Sequence, residues 1–327
     1  MNSYESKLSI LETEQAIKWL KDRFESLLSQ TLALHRVSAP LFVERGSGLN
    51  DELSGQERPV AFDVEETELE IVHSLAKWKR EAIARYGIQR NQGLYTDMDA
   101  IRKDETLSPL HSYYVDQWDW ERTMAPSERN QAFLERIVQS LYQAFLTLDS
   151  EVASRYPPLQ RKLPSTIPIV EAADLEKRWP QLTPETREAH IAKEKKAVFI
   201  KGIGWPLTEG APHDERSPDY DDWSLNGDIL FWHEPLGKAV EMSSMGIRVD
   251  ADTLEMQLEA HGKQDRLSLP FHKRLHRGYL PQTVGGGIGQ SRLALFFLEK
   301  VHIGEVQASY WPASIRRACR DRNIFLL

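Results

Sequence analysis

Cysteine is almost missing from this 327-residue sequence: Cys319 stands alone. One thiol excludes an internal disulfide and a cysteine-rich zinc centre, and it fits a reducing compartment. A basic excess is missing too. Asp and Glu number 49 against 41 Lys and Arg, a formal net charge of -8. A chain that grips a long polyphosphate backbone usually carries the opposite sign, so extended nucleic-acid binding is disfavoured. No stretch reaches the roughly 18 apolar residues of a membrane span. The N-terminal MNSYESKLSILETEQ places Glu5, Lys7, Glu12 and Glu14 where a signal peptide needs an unbroken apolar run. Repeats and low-complexity tracts are also absent. What is present is ordinary for a globular protein with a sizeable core: 41% hydrophobic and 28% charged residues. The expectation is a cytoplasmic globular protein with neither a membrane nor a nucleic acid as partner.

Hydrophobic spacing predicts an amphipathic helix over 4–30, carried by Leu8, Leu11, Ile17, Leu20, Phe24 and Leu27. A strand-like run, LALHRVSAPLFV, follows and is interrupted by Pro40. SLAKWKREAIARYG reads as a helix with Ser74 as N-cap and Gly87 just past its end. HSYYVDQWDWERT (111–123) alternates like a strand, and Pro126 opens a long helix reaching about Arg155. AVFIKGI (197–203) reads as a buried strand, the segment 204–227 as a long irregular loop of functional character, and DILFW and AVEMSSMGIRV as two strands. TVGGGIGQSRLALFFLEK reads as strand, glycine turn and helix. No linker cuts the chain, so one domain over 1–327 is expected, with helical insertions at about 126–196.

Four groups of residues carry chemical potential. The cluster Gly285-Gly286-Gly287-Ile288-Gly289 lets a backbone approach a phosphate or ribose closely, and Arg292 beside it suits a phosphate or a purine face. It is neither a Rossmann fingerprint nor a P-loop: no glycine follows Gly289 at the required spacing, and no Gly-Lys-Ser/Thr follows. Asp228 and Glu241, on adjacent strands, form a carboxylate pair able to flank a hard cation. Arg248, seven residues after Glu241, would point to the opposite face of a regular strand unless a bulge near Gly246 intervenes. Gln117 and Asp119 share one strand face as acceptors for an ammonium, while Trp118 and Trp120 face the core and Asp116 lies on that other face, at its edge. Ser74 and Lys79 flank a helix start, a position where a lysine is usually solvated; His73 reads as structural.

Together these segments resemble the catalytic core of class II aminoacyl-tRNA synthetases, in the aspartyl and asparaginyl branch. HRVSAPLF with Pro40 resembles the first class motif, Arg102 with YVDQWDWE the second, and GGGIGQSRL ending in Arg292 the third. The sequence enters this core after one helix, so an anticodon-binding barrel ahead of it is not expected. The stand-alone strings DELSG, HSLAKWKRE, LSPLHSYYVDQWDWER, PDYDDWS, LNGDI and GGGIGQSR are similar to the ammonia-dependent asparagine synthetases, the aspartate–ammonia ligase family, over nearly the whole chain. One departure is visible: Ser224 runs directly into Leu225, where other members carry an extra stretch.

The resemblance implies an α+β fold with a mostly antiparallel central sheet flanked by helices. It implies a ligase joining aspartate, ammonia and ATP to give asparagine, AMP and pyrophosphate through a β-aspartyl-adenylate, with Mg2+. Arg102, Asp228, Glu241, Gly287, Gly289 and Arg292 would bind ATP, and Asp228 and Glu241 would hold the metal. Ser74, Lys79, Gln117, Asp119, Ser244 and Arg248 would bind aspartate. Asp51, Arg102 and Gln117 are the catalytic candidates, and Asp221 is a further one. Pro40 implies a homodimer. Amide transfer from glutamine commonly needs a nucleophilic cysteine, often at the mature N-terminus. Residue 2 is Asn and the lone cysteine is Cys319, so ammonia is the expected donor. Two other readings compete: transfer of aspartate to tRNA or another carrier, and a non-catalytic sensor of aspartate or adenylate. The negative charge opposes the first. Retention of Arg102, Asp228, Glu241 and Arg292 opposes the second.

Overall fold

The computed structural model describes residues 4–53, 57–208 and 210–327. Ser54 and Gly55 of the DELSG string lie outside them. Helix α1 (Ile10–Leu32) begins later than its periodicity predicts, because Ser9 and Glu12 form a reciprocal capping box that fixes the first turn. The run around Pro40 then divides into β1 (Leu34–Arg36) and β2 (Phe42–Glu44), which join different sheets. The strands β3 (Ala61–Val64) and β4 (Thr67–Ile71) complete a small sheet ordered β2-β4-β3, which the sequence reading did not anticipate.

Helix α2 (Ala76–Tyr86) leads to β5 (Gly93–Ile101) and β6 (Tyr114–Thr123), and α3 (Gln131–Arg155) follows the Pro126 turn. The stretch to 196 forms β7 (Ile169–Glu171), α4 (Ala172–Arg178) and α5 (Pro184–Lys195). After β8 (Ala197–Lys201) comes β9 (Asp221–His233), longer than expected because 221–227 run as strand rather than loop, with Asp221, Asn226 and Gly227 paired to β10. Ser224 and Leu225 are therefore consecutive residues of one continuous strand. The chain ends with β10 (Lys238–Arg248), α6 (Ala251–Ala260), α7 (Pro270–His276), β11 (Thr283–Gly289), α8 (Gln290–Phe297) and α9 (Ala313–Asp321).

Eight strands form the main sheet in the order β1-β5-β6-β11-β10-β9-β8-β7. Only the outer pairs, β1 with β5 and β7 with β8, are parallel. One face is covered by α1, α3 and α8. Phe24 of α1 stacks on Phe145 of α3 at 4.9 Å and meets Trp118 of β6 at 5.2 Å between ring centroids. Trp118 and Trp120 are fully buried in this core, as their alternation predicts. By the same alternation Gln117, Asp119 and Glu121 project from the opposite face. The sheet thus puts a heavy apolar layer behind the strands and a polar floor in front.

Candidate active site

The glycine cluster is strand and not a turn. Gly285, Gly286 and Gly287 belong to β11 and pair with both β10 and β6 in the middle of the sheet. Their value is the space they leave. A Cβ on Gly287 would sit 2.4 Å from the Gln117 side-chain oxygen and 2.9 Å from Asp119 Oδ1. One on Gly285 would sit 2.1 Å from Glu121 Oε2 and 2.4 Å from Arg248 Nη2. Glycine here clears the floor above four polar side chains; Gly289 lies against the Arg292 side chain.

A bulge turns Arg248 toward that floor, though not at Gly246. Glu241 pairs with Leu230 and Ser243 with Ile229, so Met242 is one residue in excess. Packing records the change of parity: Val240 and Met242, then Met245 and Ile247, face the main core. The other face accordingly carries Glu241, Ser244 and Arg248. A second irregularity, between Gly246 and Arg248, brings Asp221 opposite Arg248. Asp228 pairs with Ser244, so the two carboxylates Asp228 and Glu241 share a face at an offset and do not stand directly opposite one another.

Two charged clusters surround one cavity; Glu121 and Asp228 are not among its lining residues. In the first, Arg248 donates from Nε and Nη2 to Glu121, the latter at 2.7 Å, and from Nη1 to Asp221. Three of its five N–H groups are engaged by these carboxylates, leaving two unused by them. Lys79 Nζ donates to Gly286 O at 3.1 Å and lies 3.3 Å from Asp119 Oδ1. With 1% exposure Lys79 is no solvated helix lysine. Burial pushes its pKa down, partly opposed by Asp119. Burial pushes the Asp221 carboxyl up, with Arg248 pulling it back. Asp51 is buried beside this cluster: Oδ2 accepts from Ser74 Oγ at 2.9 Å and Oδ1 from the Leu53 N–H at 2.9 Å. Ser74 is therefore not an N-cap. Leu75 occupies that position without a side-chain hydrogen bond, while Gly87 closes α2 in the left-handed region at φ 63° as predicted.

The second cluster holds Arg102, His111, Arg292, Arg216, Glu241 and Asp228. Arg292 Nη1 lies 3.5 Å from Glu241 Oε1, and Arg102 donates to His73 O at 3.3 Å. His111 is held neutral, its pKa depressed to about 4 by burial and by Arg292 and Arg102 nearby. Arg216 pairs with Asp228, whose Oδ1 is buried without a partner. Burial, with Glu241 nearby, pushes the Asp228 carboxyl up, and Arg216 pulls it back. Asp116 turns to α8, accepting from Ser291 N at 3.0 Å and from Ser291 Oγ at 2.8 Å.

The family model described as aspartate-ammonia ligase matches residues 11–323. The chain belongs to the aspartate–ammonia ligase family. Membership carries the activity of the family, ligation of ammonia to aspartate to make asparagine. An aspartate–ammonia ligase of Fusobacterium nucleatum is 53% identical over 326 residues, covering 99% of this chain and 100% of that one. One from Clostridium perfringens is 54% identical over 327 residues, covering 99% and 97%. Among solved structures, asparaginyl-tRNA synthetase of Pyrococcus horikoshii, complexed with asparaginyl-adenylate, superposes with a TM-score of 0.63 at 18% identity, over 92% of this chain and 70% of that one. That of Entamoeba histolytica, also with asparaginyl-adenylate, gives 0.63 at 14% identity, over 91% of this chain and 66% of that one. These likenesses establish the fold, a class II synthetase-like sheet. The ligase spans about two thirds of such a synthetase.

Sequence reading missed three residues of the site, Glu121, His111 and Arg216, and the buried Asp219 near it. Glu121 was within reach, since it keeps the two-residue spacing of Gln117 and Asp119. His111 stood at the head of a predicted strand that begins only at Tyr114. Arg216 and Asp219 sit in the irregular segment, where no periodicity assigns a direction. Asp219 is fully buried and receives Lys77 at 3.0 Å, Arg266 at 3.0 Å, His272 at 2.9 Å and Ser217 at 2.9 Å.

Proposed function

We propose that the ligase activates the β-carboxylate of aspartate with ATP, forming a β-aspartyl-adenylate and pyrophosphate, and that ammonia then displaces AMP. A carboxylate resists ammonia because its leaving group would be oxide; adenylation replaces that with AMP. The observation that carries the reading is the pairing, in one cavity, of a buried carboxylate clamp with a phosphate-binding cluster. Lys79 and the unused N–H groups of Arg248 hold the α-carboxylate. Gln117 and Asp119, across the gap left by Gly287, receive the α-ammonium with Ser74 and Ser244 beside them. The β-carboxylate is then turned toward the α-phosphate between Arg102 and Arg292, whose charge-assisted contacts contribute about 1.5–3 kcal/mol each.

A transfer synthetase clamps the side-chain carboxylate and activates the α one; asparagine synthesis needs the reverse, so the same clamp grips a flipped substrate. Asp51, held by Ser74, attracts or deprotonates ammonium next to the acyl carbon, and Asp221 stands behind Arg248. Asp228 and Glu241 suit Mg2+: this ion takes one or two carboxylates plus substrate phosphates, and Asp228 keeps a buried oxygen without a partner. The cation supplies charge neutralisation on the phosphate oxygens. Cys319 is buried with its thiol pKa raised by burial, which supports free ammonia as donor.

The exposed Leu41 and Phe42 next to Pro40, with Phe62 5.3 Å from Phe42, support a homodimer, measurable by light scattering in solution. A cytoplasmic location is supported by the single reduced thiol. No described helix is long and apolar enough to cross a membrane. The deciding experiment uses aspartate labelled with 18O in the β-carboxylate, together with ATP, Mg2+ and ammonium and without RNA. One label should reach AMP as asparagine forms. Unlabelled AMP from this substrate, as activation of the α-carboxylate would give, would refute the flipped clamp.

A further inference from the structure

Asp228 is 4% exposed and Glu241 stands on the same sheet face, so the two carboxylates need a countercharge when no ligand is near. Glu241 has Arg292. Asp228 has Arg216, which comes from the irregular segment before β9 and also neighbours the exposed Asp214, at 3.5 Å, and Glu241. Arg216 thus covers one oxygen of Asp228 while the other, Oδ1, stays buried and unpartnered. The same guanidinium lines the cavity together with Arg102, His111 and Arg292. The backbone just beyond it is pinned, since Ser217 Oγ donates to Asp219 at 2.9 Å and Trp223 Nε1 to Ser217 O at 3.3 Å. The Arg216 side chain can therefore change partners by rotating about its own bonds, with the following backbone held.

From this arrangement we propose that Arg216 is an exchangeable counter-ion. It neutralises Asp228 in the nucleotide-free enzyme. When ATP enters, it passes to the polyphosphate, and the divalent cation takes its place on Asp228. A cation alone must displace a guanidinium whose remaining acidic neighbours are the exposed Asp214 and Glu241, which Arg292 already faces. A cation arriving with ATP meets no such barrier, because the phosphates receive the arginine. Cation and nucleotide therefore load together, and Arg216 becomes a third phosphate arginine beside Arg102 and Arg292. The inference rests on the reading of Asp228 and Glu241 as cation ligands.

Electron paramagnetic resonance of Mn2+ tests it without turnover. The unmodified enzyme should bind Mn2+ weakly alone and at least ten-fold more tightly with ATP present. Arg216→Gln should bind Mn2+ at least ten-fold more tightly than the parent without nucleotide, and should lose at least ten-fold in ATP affinity. Arg216→Lys keeps the charge and should retain the weak nucleotide-free binding; Arg216→Met, as a second neutral variant, should repeat the gain should the glutamine variant fold poorly. Nucleotide-free Mn2+ binding that stays as weak in both neutral variants overturns the counter-ion role, even if the metal site stands. Asp228→Asn separates the two failures: if it leaves Mn2+ binding with ATP unchanged, the metal reading falls and the exchange falls with it.

Discussion

Arg248 shows how one buried charge can serve structure and specificity together. It is 2% exposed and balances two carboxylates, Glu121 and Asp221, while facing the cavity. Removing it strands both acids, so Arg248→Ala should cost about 3–5 kcal/mol of stability, read by urea unfolding. Arg248→Lys keeps a charge but loses the forked donors. Its folding should be largely preserved while kcat/KM for aspartate falls at least 100-fold, read by steady-state kinetics. Gly287 makes the complementary case, since its contribution is an empty volume. A methyl group there meets the Gln117 side-chain oxygen at 2.4 Å. Gly287→Ala should therefore raise KM for aspartate more than ten-fold and move KM for ATP far less, an asymmetry that separates substrate exclusion from general damage.

At the scale of elements, the irregular segment before β9 is tied down by a hub of charge. Asp219 gathers Lys77 from α2, His272 from α7 and Arg266, and Arg266 also pairs with Glu52 beside Asp51. These partners hold the Asp219 pKa well below its ordinary value against the cost of burial. Because the folded-state pKa lies below the unfolded value of ~3.9, the stabilisation is present above that pH and is lost as pH falls toward the folded value. Asp219→Asn should thus lower stability by about 3–5 kcal/mol at neutral pH. It should also flatten the loss of stability below about pH 4, both read from urea midpoints across pH. The Met242 bulge acts at the same scale, for one extra residue decides which face of β10 meets the substrate.

For the molecule as a whole, one sheet separates two jobs. The α1–α3–α8 side supplies the apolar core, and the opposite side collects nearly every buried charge of the site. Cys319 belongs to neither; on the buried face of α9 it packs against Val301 and Ile324, far from any role as a glutamine-attacking nucleophile. Cys319→Ala should leave ammonium-supported kcat within about two-fold while lowering stability by about 1–2 kcal/mol for the small buried side chain. Glutamine should fail to replace ammonium chloride in both proteins, measured as asparagine formed. Equal turnover with glutamine in the parent, lost in the variant, would contradict the donor assignment.

Residue types and their spacing were enough to read the amphipathic helices, the alternating β6 with its tryptophans inward, the glycine end of α2 and the family. These depend on neighbours a few positions apart. Direction was legible for Gln117 and Asp119 because a regular strand alternates. It was not legible for Arg248, because a bulge at Met242 leaves no mark in composition. Nor could spacing show that GGG is a strand crossing beneath a pocket: that conformation is imposed by β6 and β10, which lie far away in sequence. Ser74, an N-cap by local preference, donates to Asp51 instead, because a buried carboxylate makes a strong charge-assisted bond with a hydroxyl, while Asp119 of β6 accepts from the Leu75 N–H at the buried start of α2. Charges such as Asp219 and Lys79 took their partners from distant elements, and long-range electrostatics in a buried cavity becomes definite only when the chain has folded around it.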